Sequence, residues 1–426
     1  MAGRGAGAFT GGMATSLRGT ALRLVLTSAR RVPSGIRFPL ERDGVDPVPR
    51  LAASRGRDGV VPLARLLGTR VWLVTGYDAA RSVLADSGSF ANDVRHLIGR
   101  QDRAPAERIG GLGMTDDPDH ARLRHVLAPS FTRRRVADLQ DDVDRVVAAA
   151  LDDMAAHGPE VDLVERFGFA VPFGVICDLL GMPTVDRDGF RRQGAARFDL
   201  RDAGSGIFDT AAGTRRFLID LVASERRAPH LPDGLVARMV TEHGDALDDV
   251  ELGGLADGVF LGGYETSASM LSLGTWVLLQ HPAAWATLRR GDPREVDGVV
   301  EELLRFVCPV QVAFPRIARR DVRLGEHLVR RGDVVVVSLT GAGRDPSRHA
   351  LPERFDPLSP SAGTLAFGHG LHRCVGAELA RLELRTALVA LAQRFPDLSL
   401  ACDPADLRFT ELAIVHAVEA LPVRLG

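Results

Sequence analysis

Apolar residues recur at helical spacing over much of the chain. In the clearest stretch, 294–307, they fall three and four residues apart, at Val296, Val299, Val300, Leu303, Leu304 and Val307. Pro309 is expected to end this helix, because proline cannot continue an α-helix. Helices are also predicted over 136–157, 163–180, 248–280 and 377–388, of which 248–280 is the longest.

Strand patterns are fewer and shorter than helical ones. Residues 71–75 are rich in β-branched side chains, and 334–337 is a run of valines after the turn-forming residues 331–333. Near the end of the chain, 407–412 alternates between apolar and polar residues, and 421–425 is mostly apolar. The pattern predicts a mainly α protein with a smaller β portion, in the α+β class.

Composition narrows the class of protein. The 426 residues are 45% hydrophobic and 25% charged, which is typical of a water-soluble globular protein. Because 53 basic residues nearly balance 55 acidic ones, nothing indicates nucleic acid as a partner. The sequence contains no run of 18 apolar residues, so no transmembrane helix is predicted. Four cysteines without a C-x-x-C pair favour a cytoplasmic protein without disulfides.

Domain organisation follows from the absence of linker-like composition. From about residue 43 onward we find no repeat, no low-complexity segment and no Pro/Ser-rich linker. The sequence therefore predicts a single large domain over 43–426. Residues 1–42 contain several arginines and are expected to form a poorly ordered N-terminal extension.

The densest group of chemically capable residues is the glycine-rich segment 367–376. Cys374 stands just before the helix predicted over 377–388, where unpaired amides and the helix dipole favour a thiolate. From the residues alone, four interpretations remain open. Cys374 can be a nucleophile with His372 as base, a zinc ligand with His369 and His372, an axial ligand of haem iron, or a small buried apolar residue.

The string Phe367-Gly-His-Gly-Leu-His-Arg-Cys374-Val-Gly376 resembles the haem-binding loop of the cytochrome P-450 family of haem-thiolate monooxygenases. Three further stretches, in the family's order, resemble its other motifs. They are the oxygen-activation motif Gly262-Gly-Tyr-Glu-Thr-Ser267, the E-x-x-R motif Glu302-Leu-Leu-Arg305, and the meander motif Pro352-Glu-Arg-Phe355. The resemblance covers roughly residue 43 to the C-terminus and implies the cytochrome P-450 fold, with haem between the long central helix and the cysteine loop.

The resemblance assigns expected roles around haem b (iron protoporphyrin IX). Cys374 would be the axial ligand to the iron, with Phe367 packed near the sulfur and Gly368 leaving room for the porphyrin. Four residues would bind the two propionates: His120 and Arg124 one of them, Arg316 and His372 the other. Glu302, Arg305 and Arg354 would form a buried charge network behind the loop.

On the opposite side of the haem, the resemblance implies catalytic roles for Thr266 and Glu265. Thr266 would present its hydroxyl to bound oxygen, and Glu265 would relay protons. Gly262 and Gly263 would let the helix pass close to the haem, whereas a purely packing role for the two glycines is the alternative. Tyr264 is expected to point away from the haem.

Substrate contacts and electron supply are also expectations from the resemblance. The pocket would draw on 96–112, 198–207, 310–313 and 412–415, whose apolar side chains indicate a lipophilic small molecule: Leu97, Ile98, Val310, Val312 and Ile414. Electrons would come from a ferredoxin and its reductase, docking on a face with Arg122, Arg133, Arg134, Arg135 and Arg373. A solvated charge run without a partner is the alternative for those arginines.

The resemblance therefore implies a monooxygenase that inserts one oxygen atom of O2 into a lipophilic molecule, with hydroxylation as the expected reaction and epoxidation as the second choice. The main alternative from another class is a haem-binding ligand sensor or scaffold without turnover. Intact Thr266 and Glu265 favour the enzyme.

Overall fold

The structure is a computed structural model that describes residues 37–55, 58–66, 68–93, 112–183, 206–229, 233–358 and 363–426. Leu97, Ile98 and most of the two predicted pocket segments 96–112 and 198–207 lie outside the described residues. Within the described part, no helix is both long enough and apolar enough to cross a membrane.

Helical residues make up 53% of the part of the chain that the structure describes, which confirms the mainly α class. Their bounds are α1 Pro49–Ala53, α2 Tyr77–Ala85, α3 Asp119–Leu127, α4 Arg133–Ala137, α5 Gln140–Ala156, α6 Ala170–Leu180, α7 Gly206–Arg227, α8 Leu235–His243, α9 Asp249–Leu279, α10 Pro282–Arg290, α11 Pro293–Phe306, α12 Leu339–Gly343 and α13 Ala377–Arg394. A π-helical turn, Val164–Gly168, precedes α6, and short 3-10 turns include Phe38–Leu40, Ala128–Phe131, Gly370–His372 and Pro404–Asp406.

The strands are short and form small sheets. They are β1 Arg42–Asp43, β2 Asp46–Pro47, β3 Val60–Leu66, β4 Thr69–Val74, β5 Phe90–Ala91, β6 Glu160–Asp162, β7 Arg316–Ala318, β8 Val322–Leu324, β9 His327–Val329, β10 Val334–Val337, β11 Ser399–Leu400 and β12 Pro422–Arg424. The largest sheet has the order β3-β4-β10-β7-β5, in which only β4 and β10 run parallel. In that pair Val334 lies opposite Val71.

The central helix α9 organises the core. It begins with a reciprocal cap, since Asp248 accepts from the Glu251 amide and the Glu251 carboxylate accepts from the Asp248 amide. Its apolar residues are buried over most of its length, and it packs against α6, α7 and α13. A helix surrounded on nearly all sides can be apolar all round, which is why 248–280 shows little amphipathic periodicity.

Predicted and observed elements agree closely where the pattern was strong. The helix predicted over 294–307 is α11, capped by Asp292, and the run 334–337 is β10. The stretch 163–180 is interrupted by the π-helical turn, and 136–157 divides into the end of α4 and α5. At the N-terminal side, Phe38 is already buried against Leu51 and Leu73.

Candidate active site

The cysteine loop is shaped by two glycines in left-handed conformations. Gly368 has φ +67° and Gly370 φ +72°, and a Cβ on Gly370 would lie 2.7 Å from the Leu84 carbonyl oxygen. Only glycine fits such a position without strain. The Cys374 amide donates to the Phe367 carbonyl at 2.9 Å, which closes the loop in front of α13.

Cys374 is an exposed residue, yet nearby protein atoms desolvate its thiol enough to raise its pKa. This combination is expected of a thiol that borders a cleft, and we call the space beside it the cleft. The Gly376 amide donates to the sulfur, and nearby Arg373, Arg124 and Arg381 act against the rise in pKa. These neighbours favour the anionic form that a metal ligand requires.

Beside the thiol lies a cluster of four basic side chains, His120, His372, Arg124 and Arg316. The imidazole rings of His120 and His372 are 4.2 Å apart between centroids. Arg124 donates to the Arg373 carbonyl at 3.0 Å, and Arg316 donates to the Phe314 carbonyl at 2.6 Å. We call these four residues the basic cluster. The structure thus brings together all the residues that the sequence assigned to the propionates.

Several polar atoms of the basic cluster are buried without a hydrogen-bond partner in the described residues. They include both ring nitrogens of His120 and Nδ1 of His372. The Asp117 carboxylate is 3.7 Å from His120 Nδ1, too far for a hydrogen bond. Buried polar groups normally have partners. The cluster therefore fits an anionic group with several acceptor oxygens, such as a pair of carboxylates.

Burial depresses the pKa values in this cluster. Desolvation, reinforced by His120 and Arg316, lowers the pKa of His372 to about 4. Burial also lowers the pKa of Arg316 to about 10, and lowers that of His120. Each shift marks a place where a negative charge would be stabilising.

The glycine pair of α9 serves two different neighbours. A Cβ added to Gly262 would meet nothing within 4 Å, whereas one on Gly263 would lie 2.9 Å from Ile176 Cδ1 of α6. Gly262 therefore borders open space, as expected. The expectation for Gly263 is corrected, because the missing side chain there permits close packing of α9 on α6.

Thr266 lies one helical turn after Gly262 and on the same side of α9. Its hydroxyl donates to the Gly262 carbonyl at 2.6 Å. Glu265 is half-buried beside it. Tyr264 is buried in a different direction, in contact with the rings of Phe169, Phe173 and Phe260. It therefore points away from the space beside Gly262, as the sequence predicted.

Glu302 and Arg305 form a buried, two-pronged ion pair with both N···O distances at 2.7 Å. Arg305 also donates to the carbonyls of Gly343, Pro352 and Arg354, and Glu302 accepts from the Asp356 amide. The expected third charge is wrong: the Arg354 side chain is exposed, and only its backbone carbonyl takes part.

The structure adds residues that the motifs did not indicate. Arg344 is fully buried, bound to Asp46 and Glu353. Glu383 of α13 is buried and hydrogen-bonded to Ser267 of α9, and burial raises its pKa to about 8. Neither lies in a motif. No local pattern in the sequence marks either residue.

Three of the residues predicted to contact substrate, Val310, Val312 and Ile414, lie within the described chain, and we call the segments that carry them the wall. Val310 bridges to Val415, Val312 bridges to Ser338, and Ile414 is 61% exposed. Phe314 also belongs here, since it is 49% exposed and its ring approaches Gly113 closely. The predicted segment stopped one residue short of it. Gln311 is buried and hydrogen-bonded within the protein, so it does not line the cleft.

The arginines expected on the proximal face have unequal surroundings. Arg122 is bound to Glu251 at 2.6 Å, while Arg133 and Arg373 both approach Glu378, at 3.7 and 3.9 Å. Arg134 and Arg135 are exposed and form no ion pair with another described residue.

In the described chain, no three His, Cys, Asp or Glu side chains are placed to hold a metal ion, which leaves the zinc interpretation of Cys374 without a ligand set there.

Comparison with known proteins gives a consistent result. Residues 295–404 match the family model described as Cytochrome P450. The chain is 37% identical to Cytochrome P450 FAS1 of Rhodococcoides fascians, over 90% of this chain and 98% of that protein. It is 38% identical to Cytochrome P450 monooxygenase PikC of Streptomyces venezuelae, over 89% and 91%.

Solved structures agree with these relatives. The crystal structure of mycinamicin VIII C21 methyl hydroxylase MycCI from Micromonospora griseorubida, bound to mycinamicin VIII, superposes with a TM-score of 0.83. It is 30% identical in sequence, and the match covers 91% of this chain and 99% of that one. The likeness therefore extends over nearly the whole fold.

Proposed function

The chain belongs to the cytochrome P450 family, a family of haem-thiolate oxidoreductases, and from this premise we propose a monooxygenase that hydroxylates a lipophilic small molecule. Epoxidation is the second reaction in the proposal. The cofactor would be haem b, and the electron donor a ferredoxin with its reductase. A cytoplasmic location completes the proposal.

One observation carries the proposal: the Cys374 thiol lies beside the basic cluster. Arg124 links them, because it donates to the Arg373 carbonyl and its charge favours the Cys374 thiolate. Haem presents an iron that takes a thiolate and two carboxylates that take cations. The distribution of groups in this cleft matches both requirements.

The Cys374 thiolate would hold the iron of haem, which when bound would supply oxygen activation. The Gly376 amide would hold the negative charge on the sulfur by donating to it. His120 and Arg124 would bind one propionate, and Arg316 and His372 the other. Phe367, stacked under the Arg381 guanidinium at 4.7 Å, would shield the sulfur from solvent, and the positive φ of Gly368 would keep the loop clear of the porphyrin.

Protons would enter through α9. The Thr266 hydroxyl hydrogen is engaged by the Gly262 carbonyl, so the lone pairs of Oγ1 remain available to accept a hydrogen bond from the cleft side. Glu265, adjacent on the helix, would return protons from solvent toward Thr266 Oγ1. The absence of a side chain at Gly262 leaves room for dioxygen beside this hydroxyl.

Apolar side chains support a lipophilic substrate. Val310, Val312, Phe314 and Ile414 present an aliphatic and aromatic wall without a charged group among them. Hydroxylation is favoured over epoxidation because the similar MycCI structure is that of a methyl hydroxylase. Exposed arginines around Glu378 support an acidic electron donor, which we propose to be the ferredoxin.

The test begins with the purified protein, reduced under carbon monoxide. A strongly red-shifted Soret band is expected; a colourless protein would refute the haem assignment. Turnover is then measured with a surrogate ferredoxin, its reductase and isotopically labelled dioxygen against a library of lipophilic compounds. One labelled oxygen atom in the product is expected. Ligand-induced Soret shifts without labelled product from any bound compound would favour a ligand sensor instead.

A further inference from the structure

Arg42, near the start of the described chain, makes an unusually complete set of hydrogen bonds. Its Nε donates to Gln311 Oε1 at 2.8 Å. Nη1 donates to the carbonyls of Val45 and Val307 at 2.7 and 3.0 Å, and Nη2 to the Cys308 carbonyl and Thr340 Oγ1 at 2.8 and 2.7 Å. A guanidinium has five N–H groups, so every donor of Arg42 is used. Burial lowers its pKa to about 10, and no carboxylate among the described residues pairs with it.

The acceptors of Arg42 include a strained turn. Cys308, just past the end of α11, has φ +39°, although it is not glycine. A non-glycine residue in this conformation is strained and persists only where its surroundings hold it. Arg42 binds the carbonyl of Cys308 and that of Val307 before it. This turn directs the chain from α11 into the wall segment at Val310.

Gln311 connects Arg42 to the second segment of the wall, at Ala413 and Ile414. Its Nε2 donates to the Ala413 carbonyl at 2.8 Å and to the Leu40 carbonyl at 3.1 Å, and its backbone amide donates to the Ile414 carbonyl at 2.9 Å. Ala413 and Ile414 lie at the tip of a hairpin closed by a bridge between Phe409 and Val418. We call the hairpin, residues 409–418, the tip hairpin.

The tip hairpin contains the second strained residue. Leu412 has φ +52°, and among the described residues only Cys308 and Leu412 are non-glycine residues with positive φ. Both therefore lie in segments joined by the Arg42–Gln311 pair. A further contact joins the tip hairpin to the segment that carries Arg42, and we call this junction the joint. His416 Nε2 lies 2.7 Å from the carbonyl oxygen of Gly44, in the turn between β1 and β2.

The side chains on this joint alternate in direction. Gln311 points inward to Leu40 and Arg42 and is buried, while Val310 and Val312 on either side of it are half-buried and Ile414 is exposed. The polar contacts of Gln311 therefore fix the backbone on its buried side, and the side chains of Val310, Val312 and Ile414 extend from its more exposed side. A shift of this backbone would move the apolar side chains without touching the cysteine loop.

We propose that Arg42 and Gln311 are positioning residues for the substrate wall: they hold the strained backbones at Cys308 and Leu412 so that Val310, Val312 and Ile414 present a fixed apolar surface. The inference rests on the proposed function, because it takes these three side chains to contact substrate. Lysine cannot replace Arg42, since one ammonium group has three N–H donors and cannot span the separated acceptors.

The test compares the holoenzyme variants Arg42→Lys and Arg50→Lys. Arg50 is the matched control, because it lies in the same N-terminal region with its guanidinium over the Phe38 ring, 4.8 Å from the ring centre. The probes are imidazole and 4-phenylimidazole, titrated through the Soret band. The small probe occupies only the space beside the iron, whereas the phenyl group extends toward the wall.

Arg42→Lys is expected to weaken 4-phenylimidazole binding roughly tenfold, as loss of two or three hydrogen bonds can do, with imidazole affinity and the carbon monoxide band unchanged. Hydrogen exchange in the tip hairpin is expected to quicken, which gives a reading that does not depend on haem. Arg50→Lys should change neither quantity. The proposal would be overturned if Arg42→Lys weakened binding of imidazole and 4-phenylimidazole equally. It would also be overturned if the 4-phenylimidazole affinity or the hydrogen exchange of the tip hairpin did not change.

Gln311→Glu gives a second route if Arg42→Lys retains no haem. It keeps an acceptor for Arg42 Nε but loses the donors to Leu40 and Ala413, so the same selective loss of 4-phenylimidazole is expected. Unchanged 4-phenylimidazole affinity in Gln311→Glu would overturn the proposal. Failure of the proposed function is a separate result, since it would appear in the wild-type carbon monoxide spectrum before any variant is compared.

Discussion

The cysteine loop and the substrate wall are held in place by different kinds of contact. Within the loop, the Cys374 amide bonds to Phe367 and the Gly376 amide bonds to the sulfur, and behind the loop Glu302 pairs with Arg305 one turn away on α11. In the wall, Arg42 bonds to Gln311 across 269 positions of the sequence. Short-range contacts leave a recognisable spacing in the sequence and long-range contacts do not. The chemistry near the sulfur is therefore readable from motifs, while the shape of the substrate site is not.

The largest expected effect concerns the short-range contacts. Glu302→Ala leaves Arg305 buried with an uncompensated charge, which is expected to destabilise the protein by about 3–5 kcal/mol. Because the freed guanidinium also holds the carbonyls of Gly343, Pro352 and Arg354, the segment before the cysteine loop should loosen and haem should be lost. Haem content per chain and the free energy of unfolding in urea are the measurements.

The control for this prediction lies on the same helix. Glu295 pairs with Arg290 on the surface, both about half exposed, so Glu295→Ala should change stability by less than about 1 kcal/mol. Normal haem content in Glu302→Ala would mean that the ion pair does not support the loop, and the contrast between loop and wall would lose its strongest case.

Particular residues show how far the sequence could be read. The valine run at β10 and the apolar stripe of α11 predicted both elements closely, because the run follows a turn at Gly332 and the stripe has helical spacing up to Pro309. Within the candidate site, Cys374 and His372 lie in the cysteine-loop motif, whereas His120, Arg124 and Arg316 lie outside the quoted motifs and were identified only through the resemblance to the family.

The misses have a physical reason in each case. Arg354 was expected to be a buried charge, but a motif does not tell whether a side chain or its backbone carbonyl makes the contact. Gly263 was assigned to the haem side because adjacent glycines look alike in sequence, although successive helical residues point about 100° apart. Arg42, Arg344 and Glu383 depend on partners far along the chain, and no local pattern marks them.

Glu383 tests the comparison between the cysteine loop and the wall, because it is a long-range contact on the loop side. It joins α13, which follows the cysteine loop, to Ser267 of α9. Its pKa is raised from 4.5 to about 8 by burial, so the folded protein binds a proton that the unfolded chain releases above pH 4.5. The contribution of Glu383 to the free energy of unfolding is therefore fully present below pH 4.5 and is lost as the pH rises toward 8. Between pH 6 and pH 8 the loss should be about 2 kcal/mol.

Glu383→Gln should abolish most of that pH dependence, since glutamine resembles the protonated acid. Urea unfolding at pH 6, 7 and 8 measures it, with Glu378→Gln on the same helix, a half-buried residue, as control. If wild type and Glu383→Gln lose stability in parallel over this range, the carboxyl is not protonated in the folded protein.

Thr266→Ala tests the side of α9 that faces the cleft. The variant should keep haem and ligand binding, because the hydroxyl contacts only the Gly262 carbonyl among the described residues. Product formed per reducing equivalent should fall several-fold, with the remainder appearing as hydrogen peroxide. Thr275→Ala removes an equivalent hydroxyl, bonded to the Leu271 carbonyl at 2.8 Å in a buried part of the same helix, and should leave the yield unchanged. Unchanged yield in Thr266→Ala would remove Thr266 from the proton path.

The smallest expected effect concerns the surface outside the loop, where solvent screens each charge. Arg134 and Arg135 are exposed, next to Arg133 and the Glu378 contact, and steering of an acidic ferredoxin should depend on them. The double variant Arg134→Gln/Arg135→Gln should slow reduction by ferredoxin by a factor of about three to ten at low ionic strength, and the difference should vanish at high salt. Arg323→Gln/Arg330→Gln removes the same net charge from exposed positions beside β8 and β9, so it controls for overall charge. Equal slowing in both double variants would show that net charge matters rather than this face, and a rate independent of salt would mean that the arginines are a solvated charge run.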